Sequence, residues 1–133
     1  MTASVLVVDD DQDNREMLAE YLTLVGCTVA TASSGVEALV VAEAMRPQVM
    51  LMDLALPGID GWEATRRVKA HPLLKQTVVI AVTAHSLPKH REEALHAGCD
   101  AVVLKPYNLG ALAEQVQRAA AQPAPASVPV LEA

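Results

Sequence analysis

The sequence predicts an α/β protein with a five-stranded parallel sheet that is covered by helices on both faces. Apolar runs rich in valine alternate with stretches whose apolar residues recur every three or four positions. Three of those runs contain almost no polar residue, which is typical of strands buried on both faces of a parallel sheet. With 133 residues, 52% of them hydrophobic, the chain has the size and apolar content of one compact domain.

Five apolar runs are predicted as strands, and each is followed by a helical stretch, so the chain is predicted to contain five β-α units. The runs cover residues 5–8, 28–31, 49–52, 78–82 and 101–104. Parallel strands need crossover connections, and these are right-handed. The helices are therefore expected on both faces of one sheet.

The first two helices have the clearest signals. The second begins with Ser34 and Glu37 in S-x-x-E form, a capping box in which the two residues satisfy each other's backbone N–H groups, and Pro47 marks its end. Three more helices are predicted over residues 61–70, 88–98 and 108–122. The first helix places five apolar residues on one face at spacings of three and four. These are Met17, Leu18, Tyr21, Leu22 and Val25.

Acidic residues follow two of the predicted strands. Asp9 and Asp10 come directly after the first strand, and Asp53 comes directly after the third. Ligands of such sheets bind at the carboxyl ends of the strands, and carboxylates gathered there repel one another unless a cation or a proton offsets their charge. Mg²⁺ binds carboxylate and phosphate oxygens, and an aspartate beside it can attack a phosphoryl group. The alternative is that these acids only cap turns at strand ends.

Two further polar residues occupy equivalent positions. Thr83 follows the fourth strand and Lys105 follows the fifth. Taken alone, Thr83 is interpreted as a helix cap and Lys105 as a solvated surface lysine. Their places at strand ends instead bring a hydroxyl and an ammonium to the same edge as the three acids.

The composition excludes several classes of function. The net charge is −6 and the only aromatic residues are Trp62, Tyr21 and Tyr107, so the basic surface and stacking rings of a nucleic-acid binder are missing. Cys27 and Cys99 are isolated, which predicts reduced core residues rather than a disulfide framework or a zinc site. Neither a signal peptide nor a membrane span is indicated, so we expect a cytoplasmic protein that does not bind membranes.

Taken in order, four motifs closely resemble the receiver domain of bacterial two-component response regulators. The resemblance covers roughly residues 4–121. Each motif is weakly specific by itself, but the ordered set is highly specific. The resemblance implies a flavodoxin-like (βα)5 fold with strand order 2-1-3-4-5. The motifs are Val8-Asp9-Asp10, Met-Asp-Leu-Ala-Leu-Pro-Gly-Ile-Asp-Gly at residues 52–61, Val82-Thr83-Ala84 and Lys105-Pro106.

The resemblance also implies a chemistry for the acids. Asp53 would accept a phosphoryl group from a phosphohistidine on a histidine kinase or a phosphotransfer protein. Mg²⁺ would be held by Asp9, Asp10, Asp53 and the backbone carbonyl of Ala55. The Ala55 side chain cannot orient an attacking water, which favours slow self-hydrolysis, whereas His85 would either orient water, screen the site or lie exposed in a loop.

The remaining motif residues would act on the phosphoryl oxygens. Thr83 would contact them by a hydrogen bond and Lys105 as a point charge, while Pro106 would follow a cis peptide bond that aims Lys105 inward. In the family an aromatic residue commonly follows the motion of the threonine, but here Val102 occupies its position. Because valine is stiff at χ1, the resemblance leaves the conformational readout open.

Three function classes remain. The first is a phosphoryl-accepting signalling domain, which is not an enzyme beyond its own phosphorylation and dephosphorylation. The second is a metal-dependent aspartyl phosphatase of haloacid-dehalogenase type, in which Asp9 would be the nucleophile and Asp11 its partner. The third is a receiver-like interaction module that is no longer phosphorylated. A flavodoxin-like electron carrier is disfavoured because a phosphate loop and flanking aromatics are missing.

The sequence divides into a receiver domain over residues 4–121 and a flexible tail over residues 122–133 that is rich in proline and alanine. No output domain follows in this sequence. We therefore expect the signal to pass through protein contacts. The kinase, the downstream target, the stimulus and the oligomeric state are not encoded in any motif that we recognise.

Overall fold

The computed structural model describes residues 3–54, 56, 59, 61–84, 97–121 and 131–132, and its strands form one parallel sheet. The strands are β1 (Ser4–Val8), β2 (Thr28–Ala32), β3 (Val49–Asp53), β4 (Val78–Thr83), β5 (Ala101–Leu104) and β6 (Leu131–Glu132). Their order across the sheet is β2-β1-β3-β4-β5-β6. This order confirms the predicted α/β class and the 2-1-3-4-5 arrangement of the first five strands.

Four helices lie within the described residues. They are α1 (Gln12–Leu24), α2 (Gly35–Met45), α3 (Gly61–Ala70) and α4 (Leu109–Ala121). The helix predicted over residues 88–98 falls mainly on positions outside the described residues, so α4 corresponds to the last predicted helix. Asn108 precedes α4, and its Oδ1 accepts a hydrogen bond from Ala111 N at 2.9 Å, which explains why the helix begins there.

The sheet separates two apolar clusters because successive strand residues point to opposite faces. One cluster, which we call the α2/α3 cluster, contains Met50 and Met52 together with buried residues of α2 and α3. The other, the α1/α4 cluster, contains Val49 and Leu51 together with buried residues of α1 and α4. All five residues of β3 are buried, as the continuous apolar run predicts for a central strand.

The α2 helix has the predicted cap, with one difference. Ser34 Oγ accepts a hydrogen bond from Glu37 N at 3.1 Å, but Glu37 Oε1 accepts one from Ser33 N at 2.8 Å. The reciprocal half of the capping box therefore reaches one residue further back than the usual pattern. The helix ends at Met45, and its C-cap Arg46 adopts a left-handed φ of 48° immediately before Pro47.

The apolar face predicted for α1 is only partly correct. Leu18 and Leu22 are buried against the sheet, and Tyr21 is half-buried. Met17 is 46% exposed and Val25 is 38% exposed. Leu18 and Leu22, one turn apart, form the row of α1 residues that packs against the sheet. Met17 precedes that row by about 100° of rotation around the helix, and Val25 is the C-cap, where the helical path ends.

The C-terminal segment adds a strand that the sequence does not predict. Leu131 and Glu132, which belong to the segment predicted as a flexible tail, pair in parallel with Ala101 and Val102 of β5. The pairing covers half of the outer edge of β5. None of the helices in the described part of the chain is long and apolar enough to cross a membrane.

Candidate functional site

Three of the predicted site residues project from the same face of the sheet. Asp9, Asp53 and Lys105 each lie two positions after a member of the α1/α4 cluster, so strand alternation directs their side chains to that face. The three preceding cluster members are Val7, Leu51 and Val103. The charged groups therefore continue apolar rows of the core at the carboxyl edge of the sheet.

The three acids meet at this edge. Oxygen atoms of Asp9, Asp10 and Asp53 all lie within 4.8 Å of one another. Asp9 and Asp53 are only 7% and 6% exposed, whereas Asp10 faces solvent. Burial raises the pKa of Asp9, and the charge of Asp53 raises it further, while a hydrogen bond from Asp11 N to Asp9 Oδ1 opposes the shift. The cluster therefore favours binding of a cation.

Lys105 supplies one positive charge to the acids. Its Nζ donates a hydrogen bond to Asp53 Oδ2 at 3.2 Å and lies 4.0 Å from Asp9 Oδ2. Burial lowers the pKa of Lys105, but the hydrogen bond and charge of Asp53, together with the charge of Asp9, outweigh burial and raise the pKa overall. The ammonium thus lies within 4.0 Å of two of the three clustered carboxylates. The Lys105–Pro106 peptide bond is cis, as the resemblance implies.

Thr83 ends β4 and is buried. It follows Val79 and Ala81 in strand alternation, and those residues belong to the α2/α3 cluster. Its backbone oxygen accepts a hydrogen bond from Lys105 N at 2.8 Å, which fixes the segment that leads from β5 to the lysine. The role predicted for the Thr83 hydroxyl stays a prediction.

Gly61 allows α3 to begin beside the site. A Cβ atom at this position would lie 2.6 Å from the backbone oxygen of Asp53 and 2.7 Å from Leu54 Cα. Only glycine therefore permits this approach of the helix to the end of β3.

Ala55, the predicted carbonyl ligand, and His85 lie outside the described residues.

Sequence reasoning missed two residues that border the acids. Arg15 Nη1 donates a hydrogen bond to the backbone oxygen of Asp9 at 2.9 Å, and no local pattern distinguishes Arg15 from an exposed helical arginine. Tyr107 lines a small cavity together with Asp9 and Asp53. Val102, by contrast, is buried in the α2/α3 cluster, on the opposite face of the sheet from the cluster that leads to Asp53.

Comparisons with known proteins agree with this arrangement. The family model of the response regulator receiver domain matches residues 5–117. The polar-differentiation response regulator DivK of Brucella ovis is 32% identical over 117 residues, which cover 88% of this chain and 95% of DivK.

Solved structures agree as well. The chemotaxis response regulator CheY4 of Vibrio cholerae is 31% identical and superposes with a TM-score of 0.84, covering 90% of this chain and 99% of CheY4. A CheY-like response regulator receiver domain protein from Methanospirillum hungatei is 29% identical with a TM-score of 0.81, covering 90% of this chain and 94% of that protein.

Proposed function

Because the chain belongs to the response regulator receiver domain family, we propose that it is a phosphoryl-accepting signalling domain in which Asp53 is the acceptor. The observation that carries this proposal is the placement of Asp53 beside two other carboxylates and one lysine at the carboxyl edge of the sheet. That placement supports both Mg²⁺ binding by the acids and phosphoryl transfer to Asp53.

The donor set fits Mg²⁺. The carboxylates of Asp9, Asp10 and Asp53 provide hard oxygen ligands, and the partly exposed position of the cluster leaves room for the waters that Mg²⁺ retains. Asp9, Asp10 and Asp53 would hold the ion together with the backbone carbonyl of Ala55. When bound, the ion neutralises charge on the transferring phosphoryl oxygens.

Asp53 acts as the nucleophile in this proposal. One carboxylate oxygen attacks the phosphorus of a phosphohistidine, a P–O bond forms, the P–N bond breaks and the imidazole leaves with the electron pair. Lys105, already 3.2 Å from Asp53 Oδ2, neutralises charge on the transferred group, and the Thr83 hydroxyl donates a hydrogen bond to it.

The proposed phosphoryl donor is a histidine kinase or a histidine phosphotransfer protein, and the cytoplasm is the proposed compartment. The proposed output is protein contact rather than chemistry on a separate substrate. Phosphorylation adds charge and three acceptor oxygens at the sheet edge, which biases the adjoining loops. Membership of the receiver family supports this assignment.

The phosphatase alternative has less support. It requires Asp9 as the nucleophile with Asp11 beside it, but Asp11 is the N-cap of α1 and its Oδ1 accepts a hydrogen bond from Asn14 N at 3.2 Å. Lys105 Nζ also lies nearer to Asp53 Oδ2, at 3.2 Å, than to Asp9 Oδ2, at 4.0 Å. Asp53 therefore remains the better candidate acceptor.

Phosphoryl incorporation from acetyl phosphate, with and without Mg²⁺, tests the proposal. We expect the wild type to be labelled only with Mg²⁺, and Asp53→Asn to lose labelling completely because the amide is not a nucleophile. Asp13→Asn is the matched control, since Asp13 is exposed in the first turn of α1 and should leave labelling unchanged.

Two results would contradict the proposal. Labelling that persists in Asp53→Asn but disappears in Asp9→Asn would favour the phosphatase. A wild type that takes up no phosphoryl group from acetyl phosphate, and none from a panel of phosphorylated histidine kinases and phosphotransfer proteins, would favour the interaction module that is no longer phosphorylated.

A further inference from the structure

A small cavity separates the carboxylates of Asp9 and Asp53 from the core of the domain. Its volume is ≈ 10 Å³, the lower limit for one water molecule. Tyr107 forms one wall of this cavity. The other residues that line it are apolar: Val7, Val8, Leu18, Leu51 and Val82. On their core side the acids therefore border a space that holds one water molecule at most.

Tyr107 stands two residues after Lys105 and packs against the α1/α4 cluster. Burial raises the pKa of Tyr107, the charge of Lys105 lowers it, and the charges of Asp9 and Asp53 raise it, which places the phenol in the electrostatic environment of the site. Leu18 of α1 lines the same cavity, so the ring lies where it can be held between a helix and the sheet.

We propose that Tyr107 is a positioning residue whose ring anchors the segment after β5 to the core and thereby holds the Lys105 ammonium against Asp53. This inference rests on the proposed function of Asp53 as the acceptor. The aromatic ring of Tyr107, rather than its hydroxyl, provides the anchor because the ring is the part that packs against the α1/α4 cluster. The hydroxyl is dispensable to an anchor that works by packing.

Loss of the anchor has two consequences of opposite sign. A loosened Lys105 neutralises the phosphoryl oxygens less well, so phosphoryl incorporation slows. The same ammonium competes with Mg²⁺ for the carboxylates of Asp53 and Asp9, so its departure strengthens Mg²⁺ binding. General loosening of the fold would instead weaken both properties, because the acids themselves would then be misplaced.

The test is a double-mutant cycle on Tyr107→Ala and Lys105→Met, with Tyr107→Phe as the conservative variant. Incorporation from acetyl phosphate is measured at saturating Mg²⁺, and Mg²⁺ affinity is measured separately by calorimetry without a phosphoryl donor. We expect Tyr107→Ala to slow incorporation about 10-fold and to tighten Mg²⁺ binding about 3-fold, with little further effect in the Lys105→Met background. Tyr107→Phe should match the wild type.

Tyr21→Ala is the matched control. Tyr21 packs against the same α1/α4 cluster but does not line the cavity, so its removal costs packing without releasing Lys105. We expect this variant to lower the thermal midpoint while keeping incorporation and Mg²⁺ affinity. If Tyr107→Ala fails to fold, Tyr107→Leu replaces it in the cycle, since leucine retains part of the packing but not the ring.

Three results would overturn the inference. They are a parallel fall of incorporation and Mg²⁺ affinity in the Tyr107 variant, full additivity with Lys105→Met, and a Tyr107→Phe variant as defective as the truncation. Failure of the proposed function is a separate outcome, because the wild type would then take up no phosphoryl group. The double-mutant cycle measured by Mg²⁺ affinity would still report the coupling of Tyr107 to Lys105.

Discussion

Two lysine–aspartate pairs lie at opposite edges of the same sheet, and they are built differently. At the amino edge, Lys69 Nζ is 2.7 Å from Asp100 Oδ2 and donates a second hydrogen bond to Thr77 O at 2.6 Å, while Asp100 Oδ2 also accepts one from Val79 N at 2.8 Å. One positive and one negative charge therefore join α3 to the start of β4 and to the residue before β5.

The pair at the carboxyl edge is unbalanced. Lys105 Nζ is 3.2 Å from Asp53 Oδ2, but two further carboxylates share the same edge. Both pairs lie within hydrogen-bond distance, at 2.7 Å and 3.2 Å, so the existence of a lysine–aspartate contact does not distinguish the two edges. The difference is the number of charges. The Lys69–Asp100 pair is balanced and also satisfies backbone groups, whereas the three acids beside Lys105 leave an excess of negative charge that a cation can bind.

Replacement of each lysine by methionine tests this difference most strongly. Lys69→Met should lower the free energy of unfolding by about 2–3 kcal/mol, because Asp100 and Thr77 O lose their charged partner. Lys105→Met should also lower it without Mg²⁺, but saturating Mg²⁺ should restore the wild-type value, since the ion replaces the missing charge. Urea unfolding with and without Mg²⁺ measures both effects.

The exposed Lys75→Met is the control, with an expected change within about 0.5 kcal/mol. Recovery of Lys69→Met in Mg²⁺, or the failure of Mg²⁺ to recover Lys105→Met, would remove the distinction between the two edges.

Two glycines with nearly equal φ values refine the comparison. Gly98 has φ +105° and a Cβ there would lie 2.9 Å from Lys69 Cγ, whereas Gly26 has φ +103° and open space around it. Gly26→Ala should cost about 1 kcal/mol of unfolding free energy from backbone strain alone. Gly98→Ala should cost about 2 kcal/mol, because the new methyl group also displaces the Lys69 stem. Urea unfolding compares them, and equal losses would show that Lys69 tolerates displacement.

The smallest expected effect concerns Asp9 in the absence of Mg²⁺. Since the native pKa of Asp9 is raised, the native state holds this proton more tightly than the unfolded chain does. The resulting stabilisation is present at low pH and is lost as the pH rises through the native pKa. At pH 7 the charged Asp9 is therefore a cost, and Asp9→Asn should raise the thermal midpoint by a few degrees.

Thermal unfolding from pH 3 to pH 8 in EDTA measures this difference, which should disappear toward pH 3. With Mg²⁺ the order at pH 7 should reverse, because only the wild type retains all three carboxylates. A lower midpoint for Asp9→Asn at pH 7 in EDTA would mean that the carboxylate stabilises the empty site.

The fold was predictable because its signals are local. The strand over residues 49–52 is predicted from its continuous apolar composition, and the start of α2 from Ser34 and Glu37. The strand-end positions of Asp53 and Lys105 are also visible in the sequence, and the parallel sheet brings such ends together. The burial of individual side chains was less predictable, because it depends on which neighbours pack against each helix. Met17 fits the helical pattern but is exposed to solvent.

The sequence by itself determined the first five strands, the four helices that the structure describes and the acids at two strand ends, because period, caps and turn residues act over a few positions. Only the tertiary structure decided that Lys105 pairs with Asp53, that Tyr107 lines the small cavity beside the acids and that Leu131 and Glu132 extend the sheet. These contacts join residues far apart in the chain. Their geometry depends on strand register and helix packing, and no local pattern encodes either one.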